Sequence, residues 1–210
     1  MKTLLLTLFV CIMVSFSQAQ SLQPIKLVNP DKTRGSATMK AFADRQSTRE
    51  FATRKLSDQD LSDLLWATNG INRNDGKRTA PSCMNFQEID VFVVLPEGTY
   101  LYDAKAHSLM PLTAGDYRAA VAGSQVAVKD APLFIVLAAD LTKFGGVNED
   151  AKLMGAVDVG IVCQNINIAC SALGMVTVPR GTMNKDELNK VLKLKDVHLL
   201  LMNNPVGYPK

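Results

Sequence analysis

The sequence lacks most of the features that assign a function at a glance. Histidine occurs only twice among 210 residues, at His107 and His198, which excludes a histidine-rich metal site. The 23 basic and 20 acidic residues nearly cancel, so the basic excess typical of nucleic-acid binding is missing. Glycine-rich phosphate loops, the H-E-x-x-H and C-x-x-C motifs and the G-x-S-x-G motif of esterases do not occur. What remains, 47% apolar and 20% charged residues, is the composition of an ordinary globular domain.

The first 19 residues have the pattern of a secretory signal peptide. Lys2 gives a basic start, and the mostly apolar run 4–16 has thirteen residues. As a helix it would reach about 20 Å, short of the roughly 30 Å hydrocarbon core, so a membrane anchor or a buried helix is less favoured. The small residue Ala19 ends the segment, and bulky Val10 before Cys11 argues against a lipoprotein cut. We expect a Sec-exported, periplasmic or secreted protein with no membrane span after leader removal.

The mature chain is predicted to contain one folded domain. Removing 19 of 210 residues leaves 191, which suits a single domain. Residues 20–37 contain Pro24 and Pro30 and show no periodic pattern, so they are predicted to form an extended N-terminal tail. Residues 38–210 form the predicted domain.

The mature chain keeps three cysteines, Cys83, Cys163 and Cys170. An odd number cannot pair completely within one chain. Cys163 and Cys170 lie seven residues apart on one predicted helix, about 10 Å along its axis, which is too far for a disulfide. We expect structural thiols; the alternative is a thiol enzyme that uses Cys83.

Apolar spacing and capping residues predict five helices and five strands. The helices are predicted at residues 38–44, 57–69, 117–128, 149–173 and 186–194. The strands are predicted at residues 89–95, 99–103, 108–112, 133–139 and 197–202.

The predicted helix 149–173 is apolar on nearly every side. Such a helix must be buried all round, and a chain this small rarely covers one alone, which favours a dimer. One face carries small and polar residues, Gly160, Gln164, Asn167 and Ser171, at helical spacing. This stripe either pairs with its copy across a two-fold axis or lines an internal water-filled space.

Three short segments carry polar groups in patterns that suit a ligand. In extended chain, Arg45, Ser47 and Arg49 project together and match a phosphate, although a solvated arginine-rich loop has the same pattern. Asn85 and Gln87, in the segment 81–87, offer donors and acceptors that complement a ring edge, or they cap a polar turn. Glycines in the segment 173–181 allow backbone amides to approach a ligand closely.

Taken together, in this order and spacing, these segments resemble the FMN-dependent nitroreductase family, and more narrowly its SagB/ThcOx-type branch. The resemblance covers nearly the whole mature chain. It is carried by R-Q-S-T-R at 45–49, L-W-A-T-N-G-I-N-R at 65–73, R-T-A-P-S-C-M-N-F-Q at 78–87, Q-N-I-N-I-A-C-S-A-L-G at 164–174 and P-V-G-Y-P at 205–209. One departure is Glu88-Ile89, where many members have Pro-Trp.

The resemblance implies a fold and a cofactor site. The fold is α+β, a central antiparallel sheet flanked by helices in an intertwined homodimer with two FMN sites at the interface. The phosphate and ribityl chain of FMN would be held by Arg45, Ser47 and Arg49. The flavin would be contacted from the partner subunit by Pro81, Ser82, Cys83 and Asn85, with Gln87 in support. Near the ring N5 would lie Pro179, Arg180 and Gly181, with the Arg180 charge beside the ring.

The implied chemistry belongs to the flavin, which takes a hydride at N5 in a ping-pong cycle, so no side chain need act as acid or base. The expected substrate is small and conjugated, nitroaromatic or quinone-like, with NAD(P)H as a possible electron donor. Two alternatives stay open. One is an oxidase or dehydrogenase of the azoline-oxidising type, and the other is a non-catalytic flavin-binding scaffold.

Overall fold

The structure, a computed structural model, describes residues 22–210; the predicted signal peptide lies outside the described residues. The described chain forms a seven-stranded sheet in which every pair of neighbouring strands is antiparallel, with the order β1-β4-β3-β2-β5-β7-β6. The strands are β1 (Ile25–Lys26), β2 (Ile89–Leu95), β3 (Gly98–Asp103), β4 (Ser108–Ala114), β5 (Leu133–Asp140), β6 (Val176–Thr177) and β7 (His198–Gly207). With helices on both faces, this sheet confirms the expected α+β architecture.

Among the described residues, five α-helices flank the sheet, and the second begins after the predicted capping residue Ser57. They are α1 (Thr38–Asp44), α2 (Asp58–Asn69), α3 (Arg118–Ala122), α4 (Glu149–Ala172) and α5 (Lys185–Val191). The Ser57 side chain accepts a hydrogen bond from the Asp60 amide at the start of α2, and Asn148 does the same for Ala151 at the start of α4. Each cap satisfies an amide that has no partner within its helix.

The alternation of side chains along the central strands builds two hydrophobic layers. Val91 and Val93 of β2 pack in the layer that contains α2 and α4, whereas Phe92 and Val94 pack in the layer that contains α3 and α5. Successive strand residues point to opposite faces, so a strand covered on both sides is apolar throughout. Helix α4 comes very close to β5 at Gly155, where an added Cβ would lie 2.9 Å from the Ala139 Cβ.

Two predicted elements differ from the structure. The helix predicted over residues 117–128 ends at Ala122, because Gly123 has φ +56° and Met183 packs 3.2 Å from where its Cβ would be. The last strand continues past residue 202 to Gly207, through two asparagines that are fully buried.

Residues 22–37 are largely extended and lie against the domain. Strand β1 pairs with β4 at one edge of the sheet. Further along, Arg34 donates to Asp60 at 2.6 Å and to Asp63 at 2.7 Å, both on α2. The Asp31 amide also donates to Asp63, at 2.7 Å. These contacts fix the segment on the surface of α2.

Helix α4 is long and apolar enough to cross a membrane by length and composition alone. It packs on α1, α2, β5 and β7, and half of its most apolar stretch is buried, as in the core helix of a folded domain. Its burial is not complete, because Leu153 is 60% exposed and Val157 is 47% exposed. A single subunit therefore leaves one apolar face of α4 uncovered.

Candidate functional site

An open cavity of about 280 Å³ lies between the end of α1, the C-terminal half of α4 and β6. Arg45 lines it from one side, and Asn167 and Ser171 line it from α4. The other lining residues are Asp44, Gln46, Cys170, Gly174, Met175, Val176, Thr177 and Pro209. Arg45 adds a positive charge to a lining that is partly polar and partly apolar, which suits an anionic ligand that also has an apolar part.

The arginine segment is held beside the cavity by main-chain hydrogen bonds. The Arg45 amide ends α1 by donating to Ala41 O at 3.0 Å. Ser47 then pairs in parallel with Thr177, and the Thr48 amide donates to Thr177 O at 3.0 Å. Among residues 22–210, no acidic side chain pairs with Arg45 or Arg49. Two exposed guanidiniums without a carboxylate partner are therefore available to an anion.

The floor of the cavity is a buried network of neutral polar groups. The fully buried Asn204 side chain donates to Asn167 Oδ1 and to Thr177 Oγ1, at 3.2 Å each. Its own Oδ1 accepts from Cys163 Sγ at 3.2 Å. Burial raises the pKa of Cys163 to about 11 and raises that of Cys170 further, so both thiols are neutral at physiological pH. Both are free thiols buried in the hydrophobic core.

The segment 81–87 forms a tight loop with an unusual backbone. Three residues, Met84, Asn85 and Gln87, have φ of 48°, 58° and 53°. These values lie in the left-handed region, which residues other than glycine rarely adopt. Such conformations persist only where surrounding contacts hold them. Here the Gln87 amide donates to Ser82 Oγ at 2.9 Å, and the Gln87 side chain donates to Gly76 O and to Asn85 Oδ1. Gln87 thus stabilises the loop through these hydrogen bonds.

One further contact anchors this loop to α4. The Cys83 amide donates to Asp158 Oδ2 at 2.7 Å. Asp158 lies 12 residues before Cys170, which corresponds to about 18 Å along a helix. None of Pro81, Ser82, Cys83, Asn85 and Gln87 lines the cavity at the other end of α4. Within one subunit, the structure therefore does not bring the two predicted halves of the site together.

Glu88, directly after the loop, is buried with a carboxyl group that has no hydrogen-bond partner among residues 22–210. Asp158 is buried as well, with 4% exposure. Burial, and then the adjacent Asp158 carboxyl, raises the pKa of Glu88 to about 7. The two acids thus form a buried pair beneath the loop.

Arg180 lies in the segment 179–181 but points into the protein. Its guanidinium is 4% exposed and uses all five of its N–H donors. The acceptors are Gln125 Oε1, Val121 O, Asn203 Oδ1, Ala122 O and Thr182 O, at 2.6–3.3 Å. Burial, and secondarily Arg49, lowers its pKa.

These contacts give Arg180 a structural role, because its side chain fixes the end of α3 and the strand β7. Its amide is also occupied, since it donates to Asn203 O at 2.8 Å. Gly181, by contrast, is exposed, and its amide has no acceptor among the described residues. Gly181 is therefore the member of this segment that can donate to a ligand.

Comparison with known proteins agrees with this arrangement. The family model described as "Nitroreductase family" matches residues 42–208, nearly the whole described chain. The chain belongs to the nitroreductase family.

Individual relatives support the assignment. A candidate nitroreductase of Methanocaldococcus jannaschii is 30% identical over 173 residues, which cover 78% of this chain and 86% of that protein. The crystal structure of a candidate nitroreductase from Ralstonia eutropha JMP134 has a TM-score of 0.80, 32% identity and 91% coverage of both chains. The FMN reductase (NAD(P)H) of Bacillus subtilis is 25% identical over 186 residues, and this match spans 81% of the chain but only 65% of that protein. Membership of this family confirms the expectation of a flavin-dependent oxidoreductase.

For this member of the nitroreductase family, inspection of the sequence missed three residues of the site. Asp158 is a lone acid in the middle of an apolar helix, and that signal was available in the sequence. Glu88 stands directly before a buried strand, where an acidic side chain is unusual. Asn204 gives no such signal, because its partners Asn167, Thr177 and Cys163 are distant in sequence and meet only in the fold.

Proposed function

We propose that this chain is an exported, homodimeric, FMN-dependent oxidoreductase of the SagB/ThcOx-type branch, acting on a small nitroaromatic or quinone-like substrate. The observation that carries the proposal is the cavity beside Arg45, with a neutral polar floor and no acidic partner for the arginine. A buried neutral network next to unpaired guanidiniums favours a dianionic phosphate over a cation.

The residues present fit FMN. Arg45, Ser47 and Arg49 would hold its phosphate and ribityl chain, and the Gly181 amide would donate to the ring near N5. When bound, the flavin supplies the hydride chemistry, while the protein orients it and sets its electrostatic surroundings. At about 280 Å³ the cavity is slightly smaller than the roughly 300–1,000 Å³ typical of sites that enclose a whole ligand. The remainder of the site would come from a second subunit.

The uncovered face of α4 supports the homodimer. Leu153, Val157, Gly160 and Gln164 are exposed along it at helical spacing, and Phe42 of the adjoining helix α1 is 53% exposed. Packing two such faces across a two-fold axis would bury them and bring the partner's loop 81–87 towards the cavity. The C-terminal half of the polar stripe does not reach this face, because Asn167 is buried and Ser171 Oγ donates to Ala41 O of the same chain, and both residues line the cavity instead.

The dimer is tested by placing a charge on this face. Val157→Asp should convert a dimer into a monomer, because an unpaired carboxylate at the centre of an interface is costly to desolvate. Size-exclusion chromatography with light scattering measures the change. Val126→Asp is the matched control, since Val126 is equally apolar and 58% exposed but lies away from α4. A wild-type chain that is monomeric while it holds flavin would contradict this prediction.

The cofactor is tested by the spectrum of the mature chain purified from the periplasm. We expect flavin absorbance and about one FMN per subunit released on denaturation. Arg45→Ala should weaken FMN binding about 10- to 100-fold, because charged hydrogen bonds to the phosphate are lost. Arg45→Lys should have an FMN affinity between those of the wild type and Arg45→Ala. Quenching of flavin fluorescence by the apoprotein gives the dissociation constant.

Lys105→Ala is the control for this series, because it removes the same charge from the turn between β3 and β4. Bleaching of the bound flavin is then followed with NAD(P)H first, since the Bacillus subtilis relative is named for that donor. A colourless protein that also fails to bind added FMN would overturn the proposed function.

A further inference from the structure

Glu88 and Asp158 form a buried acidic pair that the flavin chemistry does not use. Glu88 precedes β2 and is 1% exposed, and Asp158 lies on α4 and is 4% exposed. Both Glu88 carboxyl oxygens lack a hydrogen-bond partner among residues 22–210. A buried carboxylate without a donor is unfavourable, whereas a neutral carboxyl group beside Asp158 can donate its proton to that carboxylate.

Asp158 also anchors the loop 81–87 to α4. Its Oδ2 accepts the Cys83 amide at 2.7 Å, and it lies next to the exposed Val157 on the face proposed for dimerisation. The loop requires such contacts, because Met84, Asn85 and Gln87 all have left-handed backbone conformations. One carboxylate thus faces both the loop amide and the unpartnered acid.

We propose that a proton carried by Glu88 joins it to Asp158, that the two side chains together act as a latch that positions the loop 81–87, and that loss of this proton loosens the loop. With the proton present, Glu88 donates to Asp158, and Asp158 accepts from Cys83. When the proton leaves to solvent, two carboxylates repel each other in a buried space beneath the loop. The consequence for the cofactor rests on the proposed function, in which this loop contacts FMN in the other subunit.

The surrounding charges are consistent with this latch. Among residues 22–210, Asp158 is the one charged group that adds to burial in shifting the pKa of Glu88, which is raised to about 7. The charged groups on the other packed elements shift the pKa of Asp90 instead. They are Asp140 of β5, His198 of β7, Lys143 and Arg78. Because the folded pKa lies above the ordinary 4.5, the latch is closed at acidic pH and opens as pH rises through about 7.

The first test follows the latch directly in the mature chain. With carbon-13-labelled glutamate side chains, one carboxyl group should titrate near pH 7, and the Cys83 amide resonance should move with the same midpoint. Glu88→Gln, which keeps a donor towards Asp158 at every pH, should remove both transitions. Asp158→Asn should lower the pH midpoint of the Glu88 titration, because it removes the neighbouring negative charge. Glu97→Gln, at an exposed position, should leave both transitions in place.

The second test links the latch to the cofactor. Since the phosphate of FMN also titrates near pH 6, the wild type is compared with Glu88→Gln at each pH. The two should bind FMN equally at pH 6, and the wild type should bind about tenfold more weakly than Glu88→Gln at pH 8.5. Equal affinities at pH 8.5 would overturn the role of the latch in cofactor binding.

The two proposals fail in different ways. A protein that binds no FMN at any pH would refute the proposed function, while the carboxyl and amide titrations would still decide the latch. A Glu88 carboxyl that titrates near its ordinary pKa, or a Cys83 amide that is constant from pH 5.5 to 8.5, would overturn the latch.

Discussion

Replacing Arg180 by methionine should lower the free energy of unfolding by about 3 kcal/mol or more, the largest loss that we expect from any single change. The reason is the number of partners: the guanidinium is 4% exposed and donates to five separate oxygens. Methionine has a similar length but no donor, so these buried acceptors would be left without a partner. Urea denaturation followed by circular dichroism measures the change.

Two further variants define the origin of this loss. Arg180→Lys keeps the charge but has three donors in place of five, so its stability should lie between the wild type and Arg180→Met. Arg73→Met is the matched control, because Arg73 is exposed and its loss should leave the urea midpoint almost unchanged. If Arg180 served instead as the charge beside a flavin ring, Arg180→Met would shift the flavin reduction potential while stability stayed constant.

The second large effect is expected at Asp60. Asp60→Asn should cost about 2–3 kcal/mol at pH 7, since this buried carboxylate accepts charge-assisted hydrogen bonds that an amide cannot replace. Asp60 accepts from the Tyr208 hydroxyl, from Ser57 Oγ at 2.7 Å and from Arg34 at 2.6 Å. It therefore joins the N-terminal segment, the start of α2 and the C-terminal end of the chain. Urea midpoints of the two proteins give the difference.

The pH dependence of this difference has a defined sign. Burial raises the pKa of Asp60, but the hydrogen bonds from Tyr208, Ser57 and Arg34 outweigh it, so the folded pKa lies below the ordinary 3.8. The unfolded chain then binds more protons in acid, and the contribution of Asp60, complete above about pH 4, is lost as pH falls through the folded pKa.

Wild type and Asp60→Asn should accordingly converge in stability as pH falls below 3.8 and through the folded pKa. Asp75→Asn is the control, since Asp75 is exposed and pairs only with its neighbour Lys77. A difference between wild type and Asp60→Asn that stays constant from pH 7 to pH 3 would contradict the role given to the ionised carboxylate.

The elements predicted correctly from the sequence are those whose residues carry a local signal. Strands β2 and β5 are largely apolar runs, α2 combines a periodic apolar pattern with the cap Ser57, and α4 is a long, mostly apolar run without proline. Strand β7 extends further than predicted because Asn203 and Asn204 look like surface residues, yet both are fully buried and hydrogen-bonded. Hydrophobicity cannot identify a buried polar strand, since its partners come from other parts of the chain.

The candidate site shows the same difference between features with a local sequence signal and features that depend on distant residues. The alternation in R-Q-S-T-R is a local property of extended chain and predicts an arginine-lined ligand site; Arg45 lines the cavity, whereas Ser47 and Arg49 are not among its lining residues. The orientation of Arg180 depends on the end of α3 and on Gln125, more than 50 residues earlier, so no local pattern encodes it. The Glu88–Asp158 pair likewise joins the residue before β2 to α4, and the two acids are 70 residues apart in sequence.

The order of the strands has a further consequence, for aggregation. Within residues 22–210, the two margins of the sheet are β1 and β6, which have two residues each, whereas the strands inside have six to ten. Unpaired backbone at a sheet margin is the usual template on which another chain adds, and short margin strands are one of the devices that prevent it. The long apolar strands, which would aggregate most readily, are thus prevented from pairing with strands of neighbouring molecules, because the two-residue strands β1 and β6 occupy the margins of the sheet.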